Sequence, residues 1–227
     1  HAHHRYDVVD VVALAAQCCV KVTATCVAPS YSLPWLRGEE AHIAGSGFAV
    51  VLPSGARRLL THAAVVEHAT LVQVRTCAFP HKCLAEVESV GFDVDVAVLR
   101  VDDDEFWRGV APLPLPHTLP SVMSEVLAAG FPHGGDELST TRGVVNRILL
   151  AGAARELTVQ TDASLNPGQV GGPVLSRDGE LLGLAAAGGA LGGGGKEGGA
   201  GDGGGGGLIV PMPVVHSFLR NVQYYAS

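Results

Sequence analysis

Charge is what this 227-residue chain has little of: Asp, Glu, Lys and Arg make up 16%, below the usual quarter. The 15 Lys and Arg are scattered among 22 Asp and Glu, and the net charge is −7. Without a basic stripe there is no electrostatic footprint for nucleic acid, and no such partner is expected. No apolar run approaches the roughly 20 residues that a membrane-spanning helix needs, so no membrane span is expected. The five cysteines (Cys18, Cys19, Cys26, Cys77 and Cys83) contain no C-x-x-C pair, and their odd count argues against a complete disulfide framework. Buried free thiols in a reducing, intracellular compartment are expected instead. A secretory n-region and h-region are also missing, so any targeting segment is expected to be gone already. His1, His3 and His4 read as a solvated tail or tag remnant rather than a metal site. Neither a metal nor a cofactor is expected.

What is present is globular. Hydrophobic residues reach 47%, and the length favours one large domain or two small ones with a sizeable core. Of the 30 glycines, 14 fall within 188–207, so the excess is local. That tract separates two expected strands and reads as a flexible inserted loop. Short segments with Gly, Pro or Asp punctuation recur along the chain, at 20–27, 47–52, 69–76, 84–90, 94–101, 125–130, 139–148, 157–161, 173–176, 181–186 and 208–211. They predict an all-β sandwich or barrel. A short helix over 10–20 runs into the first strand. Val214, Val215, Phe218, Leu219 and Val222 at helical spacing predict a C-terminal helix over 213–224. The acidic run 102–105 precedes Phe106 and Trp107 and reads as a solvated turn, since consecutive side chains do not converge on a metal.

Three segments carry the chemical argument. In Asp162-Ala-Ser-Leu-Asn-Pro-Gly-Gln-Val-Gly-Gly-Pro173, the glycines at 168, 171 and 172 let successive backbone N–H groups point into one concavity, as an oxyanion hole requires. Leu60-Thr-His-Ala-Ala-Val-Val66 is a strand end entering a short turn, and in Phe92-Asp-Val-Asp-Val-Ala-Val-Leu99 an acid, Asp95, opens an apolar strand.

With Gly45-Ser-Gly-Phe48, Gly130-Phe-Pro-His-Gly-Gly135, Gly143-Val-Val-Asn-Arg147 and Gln160-Thr-Asp-Ala163, these segments resemble, in order, the protease domain of the HtrA/Deg family. Ser32-Leu-Pro-Trp35 and Glu105-Phe-Trp107 resemble its plant and algal Deg branch. The resemblance implies a double β-barrel of the trypsin/chymotrypsin type over 20–227, preceded by an N-terminal segment at 1–19; the PDZ domain that usually follows in the family is not expected in this chain. It also implies where a catalytic triad would stand. The family's histidine, in T-N-A-H-V-V, matches Ala64, and its serine, in N-P-G-N-S-G-G-P, matches Val170; only the aspartate survives, as Asp95. The oxyanion-hole backbone would be Gly168, Gln169 and Val170. A methyl and an isopropyl group cannot take a proton or attack a carbonyl, and losing any triad member leaves only about 10³–10⁴-fold catalysis over water.

His62 and His68 flank the histidine position, and Ser164 precedes the serine position by six residues. Neither histidine is in register and the serine is not at the apex, so Asp95 is expected to be a leftover buried acid. The expectation is therefore a catalytically inactive serine protease homologue, a pseudoprotease that acts as a structural or interaction subunit. The alternatives are an active Deg endopeptidase and a non-cleaving peptide-binding or chaperone module. The resemblance implies protein partners or unfolded peptide, a homotrimer, and a chloroplast or mitochondrion as the compartment.

Overall fold

Strand alternation on β1 (Cys19–Val27) sends Val20, Val22, Ala24 and Cys26 inward and leaves the residues between them half-buried, as period-2 patterning requires. The structure, a computed structural model, describes residues 8–29, 32, 35, 38–78, 81–151, 156–186 and 206–225. In it, β1 joins β2 (Glu40–Val51), β3 (Arg57–His62), β4 (Ala69–Thr76), β5 (Cys83–Gly91) and β6 (Val96–Arg100) in a closed antiparallel barrel ordered β1-β2-β3-β6-β5-β4. A second closed barrel follows, made of β7 (Glu125–Gly130), β8 (Ser139–Ala151), β9 (Glu156–Thr161), β10 (Pro173–Ser176), β11 (Leu181–Ala186) and β12 (Leu208–Pro211), ordered β10-β11-β12-β9-β8-β7. Helices α1 (Val8–Cys18) and α4 (Met212–Tyr225) flank them, and α2 (Ala63–Val66) and α3 (Asp104–Arg108) are short insertions in and after the first barrel. The all-β double barrel with helices at both ends is borne out.

Each barrel has its own filling. Val22, Leu59, Val72, Val74 and Leu99 line the first and Val126, Val145, Val159, Leu182 and Ile209 the second. A third and larger cluster lies between them. Phe48, Leu60, Val96 and Val98 from the outer face of one barrel meet Leu127, Leu175, Leu181 and Leu184 from the other, joined by Val11 and Ala15 of α1 and Met212, Val215 and Phe218 of α4. Burial of that seam, at about 25 cal/mol per Å² of apolar surface, fixes one barrel against the other and so fixes the cleft. A polar clamp closes one edge. Lys21 and Arg75 are directly opposed across β1 and β4, a pairing of like charges that would repel. Asp136 of the second barrel settles both, accepting from Lys21 Nζ at 2.9 Å and from Arg75.

Residues 8–18 pack onto the barrels: Val11 and Ala15 of α1 are buried in the shared core, and β1 starts at Cys19. Two expectations are corrected. The acidic run is not simply a solvated turn: Asp103 caps α3, its carboxylate accepting from the Glu105 N–H at 2.8 Å, and acids in a first helical turn are favoured there. That helix buries Phe106 and Trp107, with Trp107 Nε1 donating to the Val101 carbonyl at 2.9 Å. The strand expected from 94 starts at Val96, since Asp95 sits in the left-handed region at φ +56. Most of the glycine tract at 188–207 lies outside the described residues.

Candidate functional site

The cleft between the barrels is walled on one side by the end of β3. The strand stops at His62, whose backbone is extended (φ −76, ψ 140) and whose Nδ1 accepts from the Ala64 N–H at 3.2 Å, an N-cap for α2. The Ala63 N–H donates to the Asp95 carbonyl at 3.1 Å, which ties α2 to the turn before β6. Burial pushes the His62 imidazole below its ordinary value of 6.5, and the Asp95 carboxylate opposes that shift only in part. The ring is therefore neutral at neutral pH, as an Nδ1 acceptor must be.

Asp95 itself is exposed, which corrects the expectation of a buried acid. The physical reason is its place in the turn before β6: its backbone is in the left-handed region at φ +56, and the buried strand residues begin only at Val96. Desolvation, together with Asp95 and Asp93, pushes the Glu156 carboxyl up, so this corner of the cleft is acidic on both barrels.

The other wall is the glycine turn. Residues Pro167–Gln169 form one turn of 3-10 helix, with the Gln169 N–H donating to the Asn166 carbonyl at 2.9 Å and the Gly172 N–H to the Gln169 carbonyl at 2.9 Å. The Gln169 side chain is fully buried, accepting from the Asn166 N–H at 3.0 Å and donating to the Ser139 carbonyl at 3.2 Å. Gly171 has φ +86, the left-handed region that favours glycine, and a Cβ there would collide with the Ser46 carbonyl. A Cβ at Gly172 would collide with the Ala129 carbonyl. At the apex, the Val170 side chain is completely buried and its carbonyl accepts from the Ser46 N–H at 2.9 Å.

Ser46 is the hinge pin that sequence reading did not single out. Its buried hydroxyl donates to the Gly168 carbonyl at 2.7 Å and accepts from the Phe131 N–H at 2.8 Å, joining the turn to β2 and to the end of β7. The Thr61 hydroxyl donates to the Ser46 carbonyl at 2.7 Å, so the end of β3 enters the same network. A small polar residue between two glycines, Gly45 and Gly47, was the available signal.

The structure thus brings the α2 start, Asp95 and the turn at 168–172 to one cleft. Gly171 lies against the His62 backbone. It leaves Ser164 exposed on the approach to the turn, and His68 exposed beside Glu67, its Nε2 3.8 Å from the Glu67 carboxylate. Among the described residues no group of three or more His, Cys, Asp or Glu is placed to hold a metal ion. No described helix is long and apolar enough to cross a membrane.

Two six-stranded barrels with a cleft of this construction define the scaffold of a chymotrypsin-type serine protease. The sequence profile of the trypsin-like peptidase domain matches residues 45–184, and the chain belongs to that family, in its HtrA/Deg group. It is 42% identical over 170 residues to Protease Do-like 2, chloroplastic, of Arabidopsis thaliana, covering 73% of this chain and 27% of that one. It is 34% identical over 208 residues to Protease Do-like 4, mitochondrial, of the same plant, covering 90% and 37%. The chain thus spans less than two fifths of the length of these relatives. The active form of the Rv3671c protease from M. tuberculosis superposes with a TM-score of 0.70 over 93% of this chain and 83% of that one, and at 21% identity it shares the fold.

Proposed function

We propose that this domain is a catalytically inactive Deg/HtrA-type protease homologue, a pseudoprotease that serves as a structural or interaction subunit for protein partners or unfolded peptide. The observation that carries the reading is the wholly buried isopropyl group of Val170 at the apex of the turn, where the family resemblance places the nucleophile. Ala64, at the matching histidine position, brings a methyl. Acyl transfer needs a nucleophile touching a base, and neither group supplies one. The neighbours do not replace them: His62 Nδ1 is committed to the Ala64 N–H, and Ser164 stands outside the turn's apex. The oxyanion-hole backbone assigned to Gly168, Gln169 and Val170 would remain as a scaffold without its chemistry. The two plant relatives, one chloroplastic and one mitochondrial, support an organelle as the compartment. Assembly as a homotrimer rests on the family resemblance.

Casein hydrolysis and fluorophosphonate labelling test the reading together. The unaltered domain is expected to do neither, and Val170→Ser or Ala64→His alone to recover almost nothing, because triad members act as a unit. The double reversion, with Asp95 to orient the new imidazole, is expected to label. Labelling of the unaltered chain that is lost on Ser164→Ala or His62→Ala would overturn the reading.

A further inference from the structure

The five cysteines are free thiols in the structure, and the sequence alone gave them no pairing. The register of the first barrel does. On β1 and β4, Val20 opposes Thr76 and Lys21 opposes Arg75, and the pairing ends there; the same register carried one residue further sets Cys19 across from Cys77, which follows β4 directly. Alternation carried over that residue puts both on one face. Val20, Val22 and Val74 point into the barrel, whereas Lys21 and Arg75 point out to meet Asp136; Cys19 and Cys77 are each two residues from that pair. Opposed residues of an antiparallel pair stand about 4.5–5.5 Å apart at Cα, inside the window of about 4.4–6.8 Å that a disulfide spans.

We propose that Cys19 and Cys77 form a cross-strand disulfide under oxidising conditions, making this edge of the first barrel a thiol-modification site. The other cysteines are turned elsewhere. Cys26 and Cys83 belong to the interior of the barrel, with the Cys83 thiol on Asp103 at 3.5 Å, and the Cys18 thiol donates to the Ala15 carbonyl at 3.5 Å. Cys77 is also near enough to act on the Cys19 thiol. Burial first, then Cys18, then Cys77 hold the Cys19 thiol well above the ordinary value. Partial burial raises the Cys77 thiol too, offset by the backbone N–H groups of Leu138 and Cys77 and by Arg75.

Cys77 is exposed and Cys19 is buried, which sets the order of steps. With a glutathione disulfide as oxidant, the Cys77 thiolate attacks one sulfur and releases one glutathione thiolate. Cys19 then loses its proton, and its thiolate attacks Cys77 Sγ and expels the second glutathione. Two protein thiols lose two electrons, one low-molecular-weight disulfide gains them, and both protons end on glutathione. The raised Cys19 thiol makes the second step the slow one.

Incubation of the domain with oxidised glutathione, followed by peptide mapping without reductant, reads the result. The expected product is one cross-linked peptide pair joining Cys19 to Cys77, with a melting temperature above that of the reduced protein, both reversed by dithiothreitol and absent in Cys77→Ser. Cys19→Ala, a small apolar replacement at a buried position, is expected to trap glutathione on Cys77. Since Cys77 is exposed, the Cys77→Ser arm stands even where Cys19→Ala fails to fold. Glutathione held on Cys77 of the unaltered chain at equilibrium, a bond from Cys77 to Cys18, Cys26 or Cys83, or no reaction at all would overturn the proposal.

Discussion

The cleft wall built by the second barrel is made of backbone, whereas the wall built by the first depends on side chains for anything chemical. At the turn, Gly171 and Gly172 press against the carbonyls of Ser46 and Ala129, and the carbonyls of Gly168, Gln169 and Val170 are all taken by hydrogen bonds. Across the cleft, Ala64 is half-buried and Asp95 is exposed, and the element they share is held through backbone, the Ala63 N–H on the Asp95 carbonyl. A shape carried by backbone packing is bound up with folding, so it persists whether or not a substrate uses it. A function carried by one side chain can be exchanged at little cost to the fold. The glycine turn is therefore no sign of catalysis, and a methyl at position 64 is no sign of a damaged barrel.

The comparison breaks first, if it breaks, at Gly172. Gly172→Ala drives a methyl into the Ala129 carbonyl, with backbone on both sides and no flexible neighbour to yield. The expected loss is about 3 kcal/mol or more, at the level of a protein that no longer folds stably. Denaturant unfolding measures it, and an unchanged midpoint would mean the turn is not tied to folding at all.

Ser46→Ala comes next. It leaves the Gly168 carbonyl and the Phe131 N–H without their shared hydroxyl in a site closed to solvent, an expected cost of about 1–3 kcal/mol. The same measurement checks it. A loss well under that range would show that the turn keeps its shape without the hydroxyl that links it to β2 and β7.

The two walls also differ in how far they could be read from sequence. The glycine turn announced itself, because Gly at 168, 171 and 172 between prolines at 167 and 173 fits few other backbone paths. The strands with clean alternation, such as β1 and β4, came out within a residue or so of the expected bounds. What stayed hidden depended on tertiary partners. Ser46 is a lone serine until Gly168 and Phe131 arrive from 122 and 85 residues away. The exposure of Asp95 is not legible either, because an acid next to an apolar run reads as part of the buried strand until the turn at φ +56 separates it from β6. Asp103 reads as part of an acidic turn because its capping role shows only once a helix is seen to start at Asp104 and bring the Glu105 N–H to its carboxylate. The pairing of Cys19 with Cys77 needed the strand register, which spacing along the chain does not contain.

A pH experiment sharpens the comparison on the first wall. His62 has a folded-state value below its ordinary 6.5, so the unfolded chain takes up a proton first as the pH falls. Its contribution to stability is complete above the unfolded value and is lost as the pH falls from there through the lower folded value, below which the loss levels off. His62→Asn, which keeps an acceptor for the Ala64 N–H, is expected to flatten that slope between neutral and mildly acidic pH. Asp95→Asn is expected to deepen it, because the Asp95 charge opposes the downward shift. Unfolding free energies across that range decide both, and a His62→Asn protein with the original slope would place the titrating group elsewhere.

The smallest effect is expected at Ala64, and it is the position where the two walls contrast most directly. Ala64 is half-buried on a four-residue helix whose cap and backbone ties do not involve its side chain. Ala64→His should therefore change stability by no more than about 0.5 kcal/mol, as surface substitutions away from a packed feature do. The new imidazole would stand beside an exposed carboxylate rather than in an apolar seam, and an opposite charge within reach favours the protonated ring. Its NMR titration should lie above the ordinary histidine value of about 6.5. His62, two residues earlier, should still titrate below that value, and Asp95→Asn should lower both. Two histidines on one short segment would then be displaced in opposite directions, one by burial and one by charge. A cost above about 1 kcal/mol for Ala64→His would mean that this wall is as constrained as the glycine turn, contrary to the division drawn between them.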